Sequence, residues 1–216
     1  MPKILLFSCL ILLSACSNTS AATTVPAPVV DEHAGSDSDR VAVFAGGCFW
    51  GIEAVFEHVK GVKNAISGYS GGTAATAHYD IVSTGKTGHA ESVQVLYEPS
   101  QITYGQLLQI FFSVAHDPTQ LNRQGPDEGP QYRSAIFFVN PEQQHIAQAY
   151  IDQLNQAKVF GKRIATEVVR LDMFYPAEAS HQDYAAHHPN DLYIVMNDAP
   201  KVERLRQQFA QLYRGR

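Results

Sequence analysis

The chain has 216 residues, 45% of them hydrophobic and 17% charged, with a formal net charge of −5 at pH 7. That describes one ordinary globular domain with a sizeable core. The mild acidity, with no basic stripe or Arg/Lys run, argues against a nucleic-acid partner.

The first residues do not read as part of that domain. Lys3 precedes an apolar run from Ile4 to Leu13, too short to span a membrane. Leu13-Ser14-Ala15-Cys16 follows, small residues ahead of a cysteine. This is an export signal resembling a bacterial lipobox, which predicts residues 1–15 as signal peptide and Cys16 as a lipidated first residue. Ordinary cleavage near Ser20-Ala21-Ala22 is the alternative. Ser17 after the cysteine is the pattern of an outer-membrane lipoprotein if the cell is Gram-negative. Residues 16–40, rich in Ser, Thr, Ala, Pro, Asp and Gly without helical or strand period, are expected to form a disordered tether, with the folded domain at 41–216.

Within the domain, Val41–Ala45 predicts a strand that Gly46-Gly47 breaks. Ile52, Val55, Phe56 and Val59 fall on one helical face, and Gly61 supplies a stop. Gly68–Gly72 and the small residues after it read as a loop, and His78–Val82 as a short extended piece. Ala90–Tyr97 alternates as a strand does. Thr103 with Gln106 forms a capping-box pattern ahead of Leu107, Leu108, Phe111 and Val114. Residues 116–132 form a long turn-rich loop, a type that is usually functional or disordered. Ser134–Val139 reads as a strand, Asn140-Pro141 opens a helix closed by Gly161, and Thr166–Leu171 is another strand. Tyr193–Met196 is a candidate last strand, and Val202, Leu205, Phe209 and Leu212 mark a final amphipathic helix. The expected fold is α/β (α+β): a single two-layer domain with a mixed central sheet, packed helices and a ferredoxin-like core.

Chemistry gathers at Cys48. The chain holds three cysteines. Cys9 would leave with the signal and Cys16 would carry lipid, so Cys48 would be a lone thiol in an oxidising compartment. Its position between two glycines and a helix start exposes it to unpaired N–H groups and the positive end of the helix dipole, both of which favour thiolate. Cys48, Phe49 and Trp50 are consecutive at a helix start and cannot all point into one core. A dithiol oxidoreductase would need C-x-x-C, which is absent. A cysteine protease would need a histidine base within reach, and the nine histidines leave that open. His187-His188 lacks the further ligand spacing of a metal site.

GCFWGIEAVFEHVKGV, GYSGG, TGHAE, HDPTQLNRQGPDEGPQYRSAIF and HQDY, in this order and spacing over residues 41–190, resemble the A-type peptide methionine sulfoxide reductases. The resemblance implies reduction of the S epimer of methionine sulfoxide, free or in proteins, without a metal or organic cofactor. It implies that the Cys48 thiolate attacks the sulfoxide sulfur and that Glu91 protonates its oxygen, with burial keeping that carboxyl neutral. Tyr79 and Tyr132 match two tyrosines that hydrogen-bond the sulfoxide oxygen. Phe49 and Trp50 match the apolar wall around the substrate methyl group, Asp127 matches a substrate-fixing aspartate, and His181 matches a supporting position. The product at Cys48 is a sulfenic acid.

One departure matters. Many members carry resolving cysteines near the C-terminus or in the loop before TGHAE. Here the loop position is Ser83, and the C-terminal stretch has none. The sulfenic acid is then expected to need an external thiol, either a thioredoxin-fold protein or a small thiol. The expected setting is the periplasmic face of the envelope, with a lipid anchor as the only membrane contact. The expected clients are oxidised envelope proteins and free methionine sulfoxide, and the expected state is monomeric. Two other readings use the same residues: a methionine sulfoxide binding or redox-sensing module without turnover, and a thiol peroxidase.

Overall fold

A strand that alternates between two buried environments opens the domain. The computed structural model describes residues 25–33 and 38–215. In chain order the first half contains β1 (Arg40–Ala45), α1 (Phe49–Glu57), β2 (Val62–Ser70), the single turn α2 (Tyr79–Val82), β3 (Ala90–Tyr97) and α3 (Tyr104–Ile110). A small hairpin of β4 (Arg123–Gln124) and β5 (Asp127–Glu128) follows, then β6 (Ala135–Phe138), α4 (Pro141–Gln156), β7 (Glu167–Arg170), β8 (Phe174–Pro176), α5 (Tyr184–His187) and α6 (Ala199–Gln208).

The main sheet has the order β7-β6-β1-β3-β2-β8. All its pairings are antiparallel except β6 with β7, so the sheet is mixed. Its centre, β6-β1-β3-β2 built by β1-α1-β2-β3-α3-β6, is the ferredoxin-like split βαβ arrangement, as expected. The strand period of two sorts the side chains. Phe44, Val93, Val95, Tyr97 and Ile136 join the main core with Phe49, Ile52 and Phe56 of α1, Leu107 and Leu108 of α3, and Tyr150 of α4. Val43, Ala45, Ala90, Ala135 and Phe137 face the other way into a smaller cluster covered by Leu171 and Phe174. Phe44 anchors the main core, its ring 5.1 Å from Phe56 and 5.0 Å from Phe111.

The helix starts follow their local chemistry. The Thr103–Gln106 capping box is present, and the Asn140 side chain accepts from Gln143 N–H at 2.9 Å ahead of Pro141.

Four expectations change. His78–Val82 is not extended but forms the turn of α2, whose last carbonyls accept from the Ser83 and Thr84 hydroxyls. Tyr193–Met196 is not a strand: Ile194–Asp198 winds as a π turn, entered through the Asp191 carboxylate, which accepts from Tyr193 N–H at 2.8 Å. α4 stops before Gly161, and Lys158 at φ 53° already makes the left-handed turn. The Gly68 region is the end of a long strand. Gly68 serves there because a Cβ would lie 2.4 Å from the Phe174 ring and from the Tyr175 carbonyl across the sheet.

Residues 25–33, expected to lie in the disordered tether, instead pack on the domain. Val25 is buried, and its carbonyl accepts from Gln109 Nε2 at 2.9 Å. Tyr150 Oη donates to the Pro26 carbonyl at 2.6 Å. Asp31 accepts from Gly105 N–H (2.7 Å) and Thr103 Oγ1 (2.5 Å) at the start of α3. Glu32, almost fully buried, accepts from Tyr104 N–H (2.8 Å), Arg40 Nη1 (2.5 Å) and Tyr97 Oη (3.2 Å). Acidic side chains at a helix start satisfy donors that composition alone could not assign. The expected signal segment and the expected lipidation site Cys16 lie outside the described residues. Among the described residues no helix is long and apolar enough to cross a membrane.

Candidate active site

The site begins where β1 turns into α1. Gly47 has φ 98°, and a Cβ there would lie 2.6 Å from Gln124 Cγ. A Cβ on Gly46 would lie 2.9 Å from the His116 ring. Both glycines are required by this close approach and, at Gly47, by the left-handed backbone. The chain then places Cys48 as the N-cap residue of α1. One turn on, Gly51 leaves room for a buried ion pair against the helix start: Lys201 Nζ lies 3.0 Å from Asp198 Oδ1, where a Gly51 Cβ would sit 2.1 Å from that oxygen.

The resting state of Cys48 differs from the expectation. The residue is 8% exposed, and its thiol is held well above the usual value. Burial is the main cause, and the Glu91 and Asp198 charges add to it. The Trp50 backbone N–H and the Lys201 ammonium act in the opposite direction. The helix terminus therefore contributes as anticipated but is outweighed by desolvation, and the free site holds a protonated thiol.

Glu91 stands at the start of β3, in register with Tyr69 of β2, on the face covered by α1. It is 1% exposed, and its Oε2 accepts from Phe49 N–H at 3.1 Å. Burial pushes its pKa up to about 8, with Asp127 adding to the rise and the Phe49 N–H opposing it. It is a carboxylic acid at neutral pH, beside the cysteine helix.

The remaining expected residues converge on the same space. Tyr79 begins α2, with its N–H donating to Glu178 Oε1 at 3.0 Å. Tyr132 ends the 3₁₀ turn Pro130–Tyr132. Both phenols are raised by burial and then by the charges of Glu91 and Cys48, so both remain donors at working pH. Phe49 is fully buried, and Trp50 is partly buried beside it with the rings 6.4 Å apart. The His181 ring lies 5.3 Å from Phe49, 5.9 Å from Trp50 and 4.4 Å from Tyr79. Asp127 reaches the site from β5, accepting from the Tyr193 hydroxyl through Oδ2. A cleft of about 180 Å³ opens at Cys48 between Asp127, Tyr193, Asn197 and Lys201.

Several neighbours of the site were not anticipated. Tyr193 opens a stretch that reads as a strand, yet its ring meets Trp50 edge-on at 6.0 Å. Tyr184 lies flat on Trp50, with centroids 3.7 Å apart and planes at 10°. Glu53 is buried between α1 and β2, and burial pushes its pKa up to about 7. The Asp198–Lys201 pair sits one turn into the long C-terminal segment. An acidic residue four positions after Phe49 on an apolar helix face was the only local signal for any of these. Among the described residues no group of three or more His, Cys, Asp or Glu side chains could hold a metal ion.

A buried thiol at the N-cap position of a helix, with a neutral carboxylic acid, two phenolic donors and an aromatic wall around it on a ferredoxin-like core, defines an enzyme of cysteine chemistry on a small polar substrate with an apolar flank. Comparison makes this particular. Residues 40–213 match the family model described as "Peptide methionine sulfoxide reductase". The chain is 57% identical over 189 residues to peptide methionine sulfoxide reductase MsrA 2 of Synechocystis sp., covering 86% of this chain and 88% of that protein. It is 57% identical over 184 residues to MsrA 2 of Mesorhizobium japonicum, covering 85% and 94%. The structure is similar to reduced Mxr1 from Saccharomyces cerevisiae (TM-score 0.65, 31% identity, 73% of this chain and 90% of that one). It is also similar to methionine sulfoxide reductase A of Corynebacterium diphtheriae (TM-score 0.61, 33% identity, 80% and 90%). The chain belongs to the peptide methionine sulfoxide reductase family, in its A-type branch.

Proposed function

We propose that the chain reduces the S epimer of methionine sulfoxide, free and in proteins, to methionine, with Cys48 as nucleophile and Glu91 as acid. The observation that carries this reading is the neutral, buried Glu91 on the N–H of Phe49, next to the thiol of Cys48. Cys48 attacks the sulfoxide sulfur while Glu91 donates a proton to its oxygen, and the tyrosines Tyr79 and Tyr132 steady that oxygen. The net change moves one oxygen from methionine sulfur to Cys48 sulfur, leaving methionine and a Cys48 sulfenic acid. Phe49 and Trp50 wall the methyl group, with His181 packed behind them and Asp127 fixing the substrate.

Cys48 is the only cysteine among the described residues, which supports reduction of the sulfenic acid by an external thiol. One donor thiol forms a mixed disulfide with Cys48 and releases water. A second thiol then frees Cys48 and leaves with the first as a disulfide. The donor is a thioredoxin-fold protein or a small thiol, and no bound cofactor takes part. The export-signal pattern of residues 3–16 supports an enzyme lipid-anchored at Cys16 on the periplasmic face of the envelope, repairing oxidised envelope proteins. Mass spectrometry of the mature N-terminus tests the anchor, and an unmodified N-terminus near Ala22 overturns it.

The activity is tested with the separated S and R sulfoxides and dithiothreitol. The expected result is turnover of the S epimer alone, abolished in Cys48→Ser. Equal turnover of both epimers, or an active Cys48→Ser variant, overturns the reading.

A further inference from the structure

The turn that carries His181 and Tyr184 has little secondary structure of its own, yet two rings of the site project from it. Its centre, Asp183, lies in the left-handed region at φ 53° and ψ 26°. A non-glycine residue there is strained and persists only if its surroundings hold it. Two side chains tie this turn to the sheet, and one of them holds Asp183 itself. Glu53 Oε2 accepts from Asp183 N–H at 3.1 Å, and Glu53 Oε1 accepts from Ser67 N–H of β2 at 3.1 Å. Gln182 completes the arrangement. Its Oε1 accepts from the same Ser67 N–H (3.0 Å), and its Nε2 donates to the carbonyls of Ser67 (2.9 Å) and Ala177 (3.0 Å). β8 ends at Pro176, and although Ala177 N–H still donates to the Ser67 carbonyl at 2.9 Å, the Ser67 N–H is taken by these side chains.

Glu53 is 2% exposed, and a carboxyl so deeply buried is costly unless its oxygens are used. Both are used, one on the sheet and one on the turn. Glu53 also lies four residues after Phe49, on the same face of α1. One side chain on the cysteine helix thus fixes the turn whose rings lie on that helix's own aromatic pair: Tyr184 on Trp50 at 3.7 Å, and His181 on Phe49 at 5.3 Å.

We infer that Glu53 is a positioning residue for the substrate pocket: by holding Asp183 in its left-handed turn, it sets Tyr184 and His181 against Trp50 and Phe49 and thereby the wall that receives the methyl flank of the sulfoxide. The role of the wall rests on the reductase reading, whereas the placement of the rings does not.

The test uses Glu53→Gln, whose single carbonyl oxygen can serve only one of the two N–H donors. Trp50 is the only tryptophan in the chain, so its emission reports the stacking of Tyr184 directly. The expected result is altered Trp50 emission with greater access to acrylamide, and a KM for S-methionine sulfoxide raised about 5–10-fold. The single-turnover rate at saturating substrate should stay within about twofold, because the reacting groups are untouched. Asp183→Gly removes the left-handed strain, so the double variant Glu53→Gln/Asp183→Gly should recover part of both the emission and the KM. It also carries the test if Glu53→Gln alone does not fold. A lowered Tm with unchanged Trp50 emission and unchanged KM overturns the inference, as does an equal loss in the double variant. The emission arm stands even if the sulfoxide assay fails, which separates the two readings.

Discussion

The backbone N–H of Phe49 donates to Glu91 Oε2 at 3.1 Å, so the first free donor of the cysteine helix is capped by the acid that faces the thiol. One hydrogen bond thus ties the nucleophile's helix to the strand carrying the proton donor. Glu91 is neutral below its pKa of about 8 and becomes a carboxylate above it. Acid catalysis is therefore present at neutral pH and falls as pH rises through about 8. Glu91→Gln keeps the acceptor for Phe49 but removes the proton, and single-turnover rates at pH 7 should drop about 10²–10³-fold. A rate equal to the unmodified enzyme's would reject Glu91 as the acid.

The same substitution has a stability signature. Glu91 has a raised folded-state pKa, so its contribution is fully present below the unfolded carboxyl value and is lost as pH climbs through about 8. Glu91→Gln has no such loss. Denaturant titrations should show the variant gaining on the parent between pH 5 and pH 9, by roughly 3–5 kcal/mol at most. A difference that does not vary with pH would contradict a buried neutral carboxyl.

Cys48 answers to the ion pair beneath α1. Asp198 raises the thiol pKa and Lys201 lowers it, with burial the larger influence. Asp198→Asn removes the raising charge and leaves the lowering one, so the pH profile of Cys48 alkylation by iodoacetamide should move to lower pH. Movement to higher pH would show that the variant acts through repacking.

Gly47 has φ 98°, and its missing side chain is filled by Gln124, whose amide is tied to the Asp117 N–H (3.1 Å) and carbonyl (3.0 Å). Gly47→Ala meets both backbone strain and a neighbour that cannot yield without breaking those bonds. It should lose about 2–4 kcal/mol in chemical denaturation, with a fall in turnover that persists in the folded fraction. Full activity in the folded protein would separate the turn from the placement of Cys48.

The N-terminal strap makes the opposite prediction. Glu32 meets Tyr97 at the far end of β3, about 20 Å along the strand from Glu91. Glu32→Ala leaves the Tyr104 N–H without its acceptor and removes the Tyr97 hydroxyl and Arg40 bonds to Glu32, with Arg40 keeping only Glu142 at 3.4 Å. It should cost about 2–4 kcal/mol in unfolding experiments while leaving kcat unchanged. Undiminished stability would mean that residues 25–33 only rest on the surface.

Much was legible in the chain itself. The alternation in Ala90–Tyr97 put Glu91 on the same face as Val93, Val95 and Tyr97, and the 3.6-residue period after Trp50 placed the helix that covers it. The capping box at Thr103 and the Asn140-Pro141 start held because they depend on neighbours three residues away. The misreadings share a cause. His78–Val82 and Tyr193–Met196 are short stretches whose form is decided by carboxylates and hydroxyls around them, and short runs carry no period long enough to distinguish turn from strand. β8 and the strap of residues 25–33 were not visible because their partners lie far away in the sequence, on β2 and on α3 and α4.

The sequence by itself determined the order of the main elements, the glycine turn before Cys48 and the set of residues around which a thiol chemistry could be built, because these follow from local sterics and periodicity. Only the tertiary structure decided their state. Whether Cys48 rests as thiol or thiolate, and Glu91 as acid or carboxylate, depends on how completely distant segments remove water from them. Desolvation is a property of the assembled packing around a group and is written at no single position in the chain.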